Sequence, residues 1–154
     1  MVEKRNPEGG LVVPSPGGYV RDHPDFGVGT LRRRQVLLRM TAPPRELSPN
    51  ARKHWAKKAH VVADYREECG WDAREQCHVA LTPPITARVT FVVPDHRRRD
   101  LDNLAASLKP MWDGLVDAKV LPDDRATVIV DIGYSLRVEK GQRYVMVLLT
   151  ETAR

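Results

Sequence analysis

Residues 85–124 open with Ile85-Thr-Ala-Arg-Val-Thr-Phe-Val-Val93 and continue Pro94-Asp95-His96-Arg97-Arg98-Arg99-Asp100-Leu101-Asp102-Asn103. A helically spaced apolar set follows, and the stretch closes on Leu121-Pro122-Asp123-Asp124. In its first nine residues Ile85, Ala87, Val89, Phe91 and Val93 face one way and Thr86, Arg88 and Thr90 the other, the alternation of a half-buried strand. Leu101, Leu104, Leu108, Leu115, and either Met111 or Trp112, then recur at helical spacing. Pro110 removes an amide donor and predicts a kink or restart of that helix, with Gly114 a second weak point. Residues 127–138 alternate again, with Val128, Val130, Ile132, Tyr134 and Leu136 read as inward. Glu139-Lys140-Gly141-Gln142 can turn into a further strand at 143–150, which predicts a hairpin and antiparallel pairing.

Towards the N-terminus, 34–41 reads as a strand ended by Pro43-Pro44, since proline gives up the ladder donor. Ser48-Pro49 reads as a helix start, the serine capping free amides and the proline suiting the first helical position. That helix is predicted to run through Trp55, Ala59, Val62 and Ala63 to near Cys69, with Gly70 closing it. Trp55 and Trp112 have apolar helical neighbours and read as core. The class is α+β: a mixed or antiparallel sheet with helices packed on one face. Residues 1–30 hold six of the ten glycines and four of the twelve prolines, so they read as a flexible or irregular leader to a domain over 31–154.

At 154 residues the chain is one domain's worth, long enough for a substantial core. A net charge of +5 and a pI near 9.5 point to an acidic partner. Between positions 49 and 66 Arg52, Lys53, Lys57, Lys58 and Arg66 face one acid, Asp64, and His54 and His60 extend the cationic surface; phosphate contact competes there with a merely solvated helix face. Cys69 and Cys77, with His60 and His78, show no zinc-ligand spacing, so the thiols read as inert and the compartment as reducing. There is no apolar run of membrane-spanning length, and Met1-Val-Glu-Lys-Arg-Asn6 lacks the apolar stretch of a signal peptide, so a cytoplasmic protein is expected.

The chemistry concentrates where three arginines run into two carboxylates. Arg97, Arg98 and Arg99 suit phosphate, whereas Asp100 and Asp102 repel it. Two carboxylates about 5 Å apart repel each other by roughly 3 kcal/mol at an effective dielectric near 20. Beside a polyanion the arrangement makes sense if a divalent cation sits between acid and phosphate. Extended backbone points residues i and i+2 to one side, so a strand-to-helix junction lets Asp100 and Asp102 converge, with Asp102 also able to cap the helix. Asp123 and Asp124 fall in a loop where the chain can return beside them, and three or four such oxygens suit Mg²⁺, with Mn²⁺ as the alternative. Asp95, Asp113 and Asp117 read as surface or turn residues. The pattern is that of a metal-dependent nuclease.

Arg97-Arg98-Arg99-Asp100-Leu101-Asp102-Asn103-Leu104, Lys109-Pro110-Met111-Trp112-Asp113-Gly114-Leu115-Val116-Asp117 and Val120-Leu121-Pro122-Asp123-Asp124 resemble the core signature of the RusA family of Holliday-junction resolvases. Pro43-Pro44 with Leu47-Ser48-Pro49-Asn50 resembles that family's N-terminal segment, so the likeness covers roughly 38–149. The resemblance implies a RusA-like fold, a homodimer, branched DNA with four arms as substrate, paired nicks, and metal on Asp100, Asp102 and Asp124, with Asp123 as a further metal ligand. The commoner family pattern places a lysine four residues after the second aspartate; Ala106 stands there, and Lys109 takes the role on the reading that both share a helix face. Two other readings stay open: a branched-DNA-binding protein that does not cleave, and a nuclease acting on flaps, forks or duplex.

Overall fold

The computed structural model describes the backbone of residues 19–23 together with residues 33–52 and 54–152. Five strands form one mixed sheet: β1 (Tyr19–His23), β2 (Arg33–Thr41), β3 (Ile85–Val93), β4 (Ile129–Val138) and β5 (Tyr144–Glu151). Their order is β1-β2-β5-β3-β4, antiparallel throughout except for the parallel β3–β4 pair. Three helices, α1 (Trp55–Gln76), α2 (Leu101–Ala106) and α3 (Lys109–Asp117), supply the other layer. The expected α+β class, with helices on one face of a mixed sheet, is what forms.

The alternation read from the sequence places the core. Val36, Leu38 and Met40 of β2, Val145, Val147 and Leu149 of β5, and Ala87, Val89 and Phe91 of β3 are buried on one face. They pack with Tyr65, Cys69 and Ala73 of α1 and with Met111 and Leu115 of α3. Each fully buried large aliphatic side chain contributes about 1.5–3 kcal/mol. The opposite face carries Arg39, Arg88 and Thr90, and Arg39 lies 3.9 Å over the Tyr144 ring. Both cysteines are free and buried; burial pushes the Cys69 thiol up to about 12, the chemistry of an inert thiol.

The expected hairpin does not form. β5 inserts between β2 and β3, and β4 pairs with β3 in parallel through the α2–α3 crossover. Parallel neighbours need such a crossover, and it leaves β4 at a sheet edge among the described residues. Edge position also alters its burial: Val128 and Ile129 are buried, whereas Val130, Ile132 and Leu136 are exposed. A register shift between Ile85 and Thr86 on the β3 side makes Val130 the extra residue, so the simple alternation expected over 127–138 is interrupted.

α1 begins six residues later than Pro49, capped by His54, whose Nδ1 accepts from the Ala56 amide at 3.4 Å. It runs through Gly70 rather than ending there. The reason is a close helix crossing: a Cβ on Gly114 would lie 2.7 Å from the Arg66 carbonyl oxygen and 3.0 Å from the Gly70 nitrogen. Backbone meets backbone at this point, so glycine is kept for space within a helix. Trp112 joins the core as expected, but Trp55 is 77% exposed, because the first turn of α1 projects beyond the sheet-facing stripe.

Of the segment read as a leader, 19–23 pairs with β2 as an edge strand; its remaining residues up to 30 lie outside the described residues. Lys53 lies outside them too.

Candidate active site

Pro94 ends β3, and 94–100 turns the chain into α2. Asp95 organises this turn: its Oδ1 accepts from the Arg97 amide at 3.0 Å and from the Arg99 guanidinium at 2.7 Å. Arg99 also donates to the carbonyls of Asp95 and Arg97 at 2.9 and 3.0 Å. These bonds, the Arg97 amide foremost, hold the Asp95 carboxyl below the usual carboxylate range. Asp95, read from sequence as a surface residue, is thus a brace for the arginine loop. Arg99 is turned into that loop, while the Arg98 side chain is exposed and makes no hydrogen bond or ion pair with the described residues.

Asp100 is the N-cap of α2: it is extended (φ −93°, ψ 119°), and its Oδ1 accepts from the Asp102 amide at 3.1 Å. The cap is therefore Asp100, and Asp102 stands one turn-position into the helix with its carboxylate exposed. Asp100 borders a cleft of about 420 Å³ shared with Arg97, Arg98, Arg99, Asn103 and, from the opposite wall, Pro44, Arg45, Ser48 and Arg143. Arg143 donates to the Pro43 carbonyl at 2.6 Å and ties that wall to β5. Arg45 and Arg143 carry no motif signal; a 3₁₀ turn at Arg45–Leu47 and the start of β5 bring them in from 45 and 143, which only the fold could do.

α2 stops at Ala106. The Ser107 hydroxyl donates to the Leu104 carbonyl at 2.6 Å, and α3 restarts with Pro110 in its first turn, where no amide is needed. Ala106 and Lys109 therefore do not share a continuous helix face, which corrects the geometry expected for the displaced lysine. The restart aims Lys109 differently: its Nζ pairs with Asp113 Oδ1 at 2.7 Å and with Asp124 Oδ2. Asp113 first and Asp124 second raise the lysine above its ordinary range, so it stays charged. Asp113 is a member of this cluster that sequence reading treated as solvated; its i+4 spacing from Lys109 was the available signal. Asp117, read the same way, is held by Arg66 of α1 at 2.6 and 2.7 Å.

Asp123 and Asp124 occupy the loop before β4, both partly buried. Asp123 Oδ1 accepts from the amides of Asp124 and Arg125 at 2.7 and 3.2 Å, and its other oxygen pairs with Arg125. Desolvation raises the Asp123 carboxyl, but these donors together bring it below its ordinary value. Asp123 shapes the loop that presents Asp124 to Lys109. No three His, Cys, Asp or Glu side chains among the described residues converge as a metal-holding group. The donor chemistry of Asp100, Asp102 and Asp124 is nevertheless the hard carboxylate oxygen that Mg²⁺ takes, and the exposed Asp102 oxygens have no protein partner among those residues.

Of the other cations expected to meet phosphate, Arg52 and Lys57 are exposed and Lys58 is half-buried, around the exposed Trp55. No helix among the described residues is long and apolar enough to cross a membrane.

No protein-family model matches the chain. It is 34% identical to an uncharacterized protein of Xylella fastidiosa over 92 residues, 57% of this chain and 60% of that protein. It is 30% identical over 87 residues to the crossover junction endodeoxyribonuclease RusA of Aquifex aeolicus, covering 56% of this chain and 65% of that enzyme. The chain thus spans less than two thirds of each of these relatives. With the Arg97–Leu104 and Asp123-Asp124 motifs, this is a partial and distant similarity to RusA.

Proposed function

We propose that the protein is a Mg²⁺-dependent, structure-selective endodeoxyribonuclease that resolves four-way DNA junctions by paired nicks, acting as a homodimer. The observation that carries this reading is the cleft in which Asp100 stands among the guanidinium-bearing residues Arg45, Arg97, Arg98, Arg99 and Arg143. Guanidinium groups attract a phosphodiester backbone, and a carboxylate at the same place disfavours it without a cation to intervene. The partial similarity to a crossover junction endodeoxyribonuclease points the same way.

Asp100, Asp102 and Asp124 would hold the metal, with Asp123 setting the loop. When bound, Mg²⁺ or Mn²⁺ lowers the pKa of water and offsets phosphate charge. Arg45, Arg97 and Arg98 bind and orient the backbone, with Arg52, Lys53, Lys57 and Lys58 on flanking DNA; Arg99 acts chiefly through the loop it braces. In hydrolysis a water oxygen forms the new P–O bond as the P–O3′ bond breaks, and the departing 3′ oxygen takes a proton. Lys109, kept charged by Asp113 and Asp124, would stabilise the added negative charge on the phosphoryl group. A cytoplasmic location and a catalytic domain over 31–154 belong to the same proposal.

One observation favours a second reading, a branched-DNA-binding protein without cleavage: the Asp124 carboxylate is already paired with Lys109. Labelled four-way junction, flap, fork and linear duplex, incubated with and without Mg²⁺ or Mn²⁺, separate the readings. Symmetric metal-dependent nicks in the junction are expected. Equal nicking of flap, fork or duplex overturns junction selectivity, and junction binding without nicks under either metal establishes the second reading.

A further inference from the structure

Lys109 is held by two carboxylates that belong to different parts of the fold. Asp113 lies one helical turn along α3 and accepts from the lysine Nζ at 2.7 Å, while Asp124, in the loop before β4, accepts from the same Nζ. The two acids are equally shielded, each side chain being 27% exposed, and neither carboxylate accepts a hydrogen bond from any other group among the described residues. Asp113 sits on a fixed support: its neighbour Gly114 meets the backbone of α1, and Met111 and Leu115 are in the core. Asp124 is set instead by the amides that its loop donates to Asp123.

The lysine thus stands on one of the carboxylates assigned above to the metal. Asp124 meets an ammonium, and no three metal-ligating side chains converge among the described residues. A divalent cation on Asp124 repels an ammonium on the same carboxylate. Lysine is a compact charge on a flexible stem, so it can leave one partner while keeping another. Asp113 is that other partner, already bonded and on the rigid side of the pair. With Asp113 removed, Asp124 is the lysine's sole partner among the described residues, and lysine and metal compete for it outright. The partner exists because the lysine stands at 109: four residues on from Ala106 is Pro110, which offers no carboxylate.

We propose, resting on the metal-dependent reading above, that Asp113 is a positioning residue which retains Lys109 beside the site when a divalent cation takes Asp124. Lys109 is then an ion pair that blocks Asp124 in the metal-free protein and a neighbour of the metal in the loaded one. Asp113 touches neither metal nor phosphate and acts through the lysine alone.

Mn²⁺ binding to the full chain without DNA, followed by electron paramagnetic resonance, tests this without reference to cleavage. Lys109→Met is expected to tighten binding by about tenfold, since the competing charge is gone. Asp113→Asn should weaken it by about fivefold in the parent background and by less than about twofold beside Lys109→Met, a coupling of the size that contacting residues show. A carboxylate acting merely as a nearby charge would weaken binding equally in both backgrounds, and that result overturns the proposal. So does a Lys109→Met variant that binds no more tightly than the parent. Thermal melts accompany each variant, and Asp113→Ser, with the same expectation, replaces Asp113→Asn should the latter not fold. Absence of Mn²⁺ binding by both the parent and Lys109→Met at millimolar concentration overturns the metal-dependent reading together with this proposal, whereas the two earlier results leave that reading standing.

Discussion

The α1–α3 contact and the mouth of the α2 cleft follow opposite physical rules. At the first, Gly114 meets the backbone of Arg66 and Gly70, and the Arg66–Asp117 fork closes the rim. Space decides everything there, and charges are consumed in pairs. At the second, Asp100, Asp102 and Arg98 remain exposed at the end of a six-residue helix with no buried residue. Stability is concentrated where α3 packs, and unpaired charge is left exposed where α2 does not. Substitutions at the two places should therefore separate cleanly into folding and function.

The largest effect is expected at Asp102. Asp102→Asn should lower cleavage by about 10³-fold or more, roughly 4 kcal/mol in the barrier, by removing a metal-ligand charge. Folding should not change, because the helix cap belongs to Asp100, and junction binding should persist with less charge beside phosphate. Single-turnover nicking with a gel-shift assay checks both; a fall in melting temperature would blur the comparison by giving Asp102 a structural part.

Lys109→Ala should slow cleavage by about 10²-fold, the scale of losing one preorganised charge, with DNA affinity little altered. Because its folded value is raised, the ion pair is complete below the ordinary lysine value of 10.5 and is lost only as pH rises through the raised one. Parent activity should accordingly show no lysine titration below that range in a pH–rate profile. Full turnover of the variant would leave Lys109 as a brace for Asp124. Ala106→Lys combined with Lys109→Ala is not expected to rescue, since the two positions lie on different helices.

Gly114→Ala tests the other region. The added methyl meets the backbone of Arg66 and Gly70 and the Cβ of Cys69, and should cost about 2 kcal/mol of stability, read from urea unfolding, while cleavage per folded molecule is retained. Trp55→Ala should have the smallest effect, lowering affinity for branched DNA by about 1 kcal/mol without destabilising the fold. An exposed indole among Arg52, Lys57 and Lys58 is suited to stacking on an unpaired base. Equal loss on duplex and junction would show a general contact rather than one at the branch.

Much of this was legible in the chain. Alternation identified the core face of β3, and helical spacing found the core side of α3, because burial on one face imposes a period on the residues that carry it. The restart at Pro110 followed from a missing amide. The carboxylates and arginines of 97–102 and 123–124 stood out by charge types that oppose one another, and among the described residues they do not converge as a metal-holding group. Tertiary structure alone decided the rest. It inserted β5 between β2 and β3, since strand partners are chosen by the whole sheet and not by the nearest turn. It brought Arg45 and Arg143 to Asp100 and bound Lys109 to both Asp113 and Asp124. It carried α1 past Gly70, where the nearness of another backbone, invisible in local sequence, turned an apparent terminator into a point of contact.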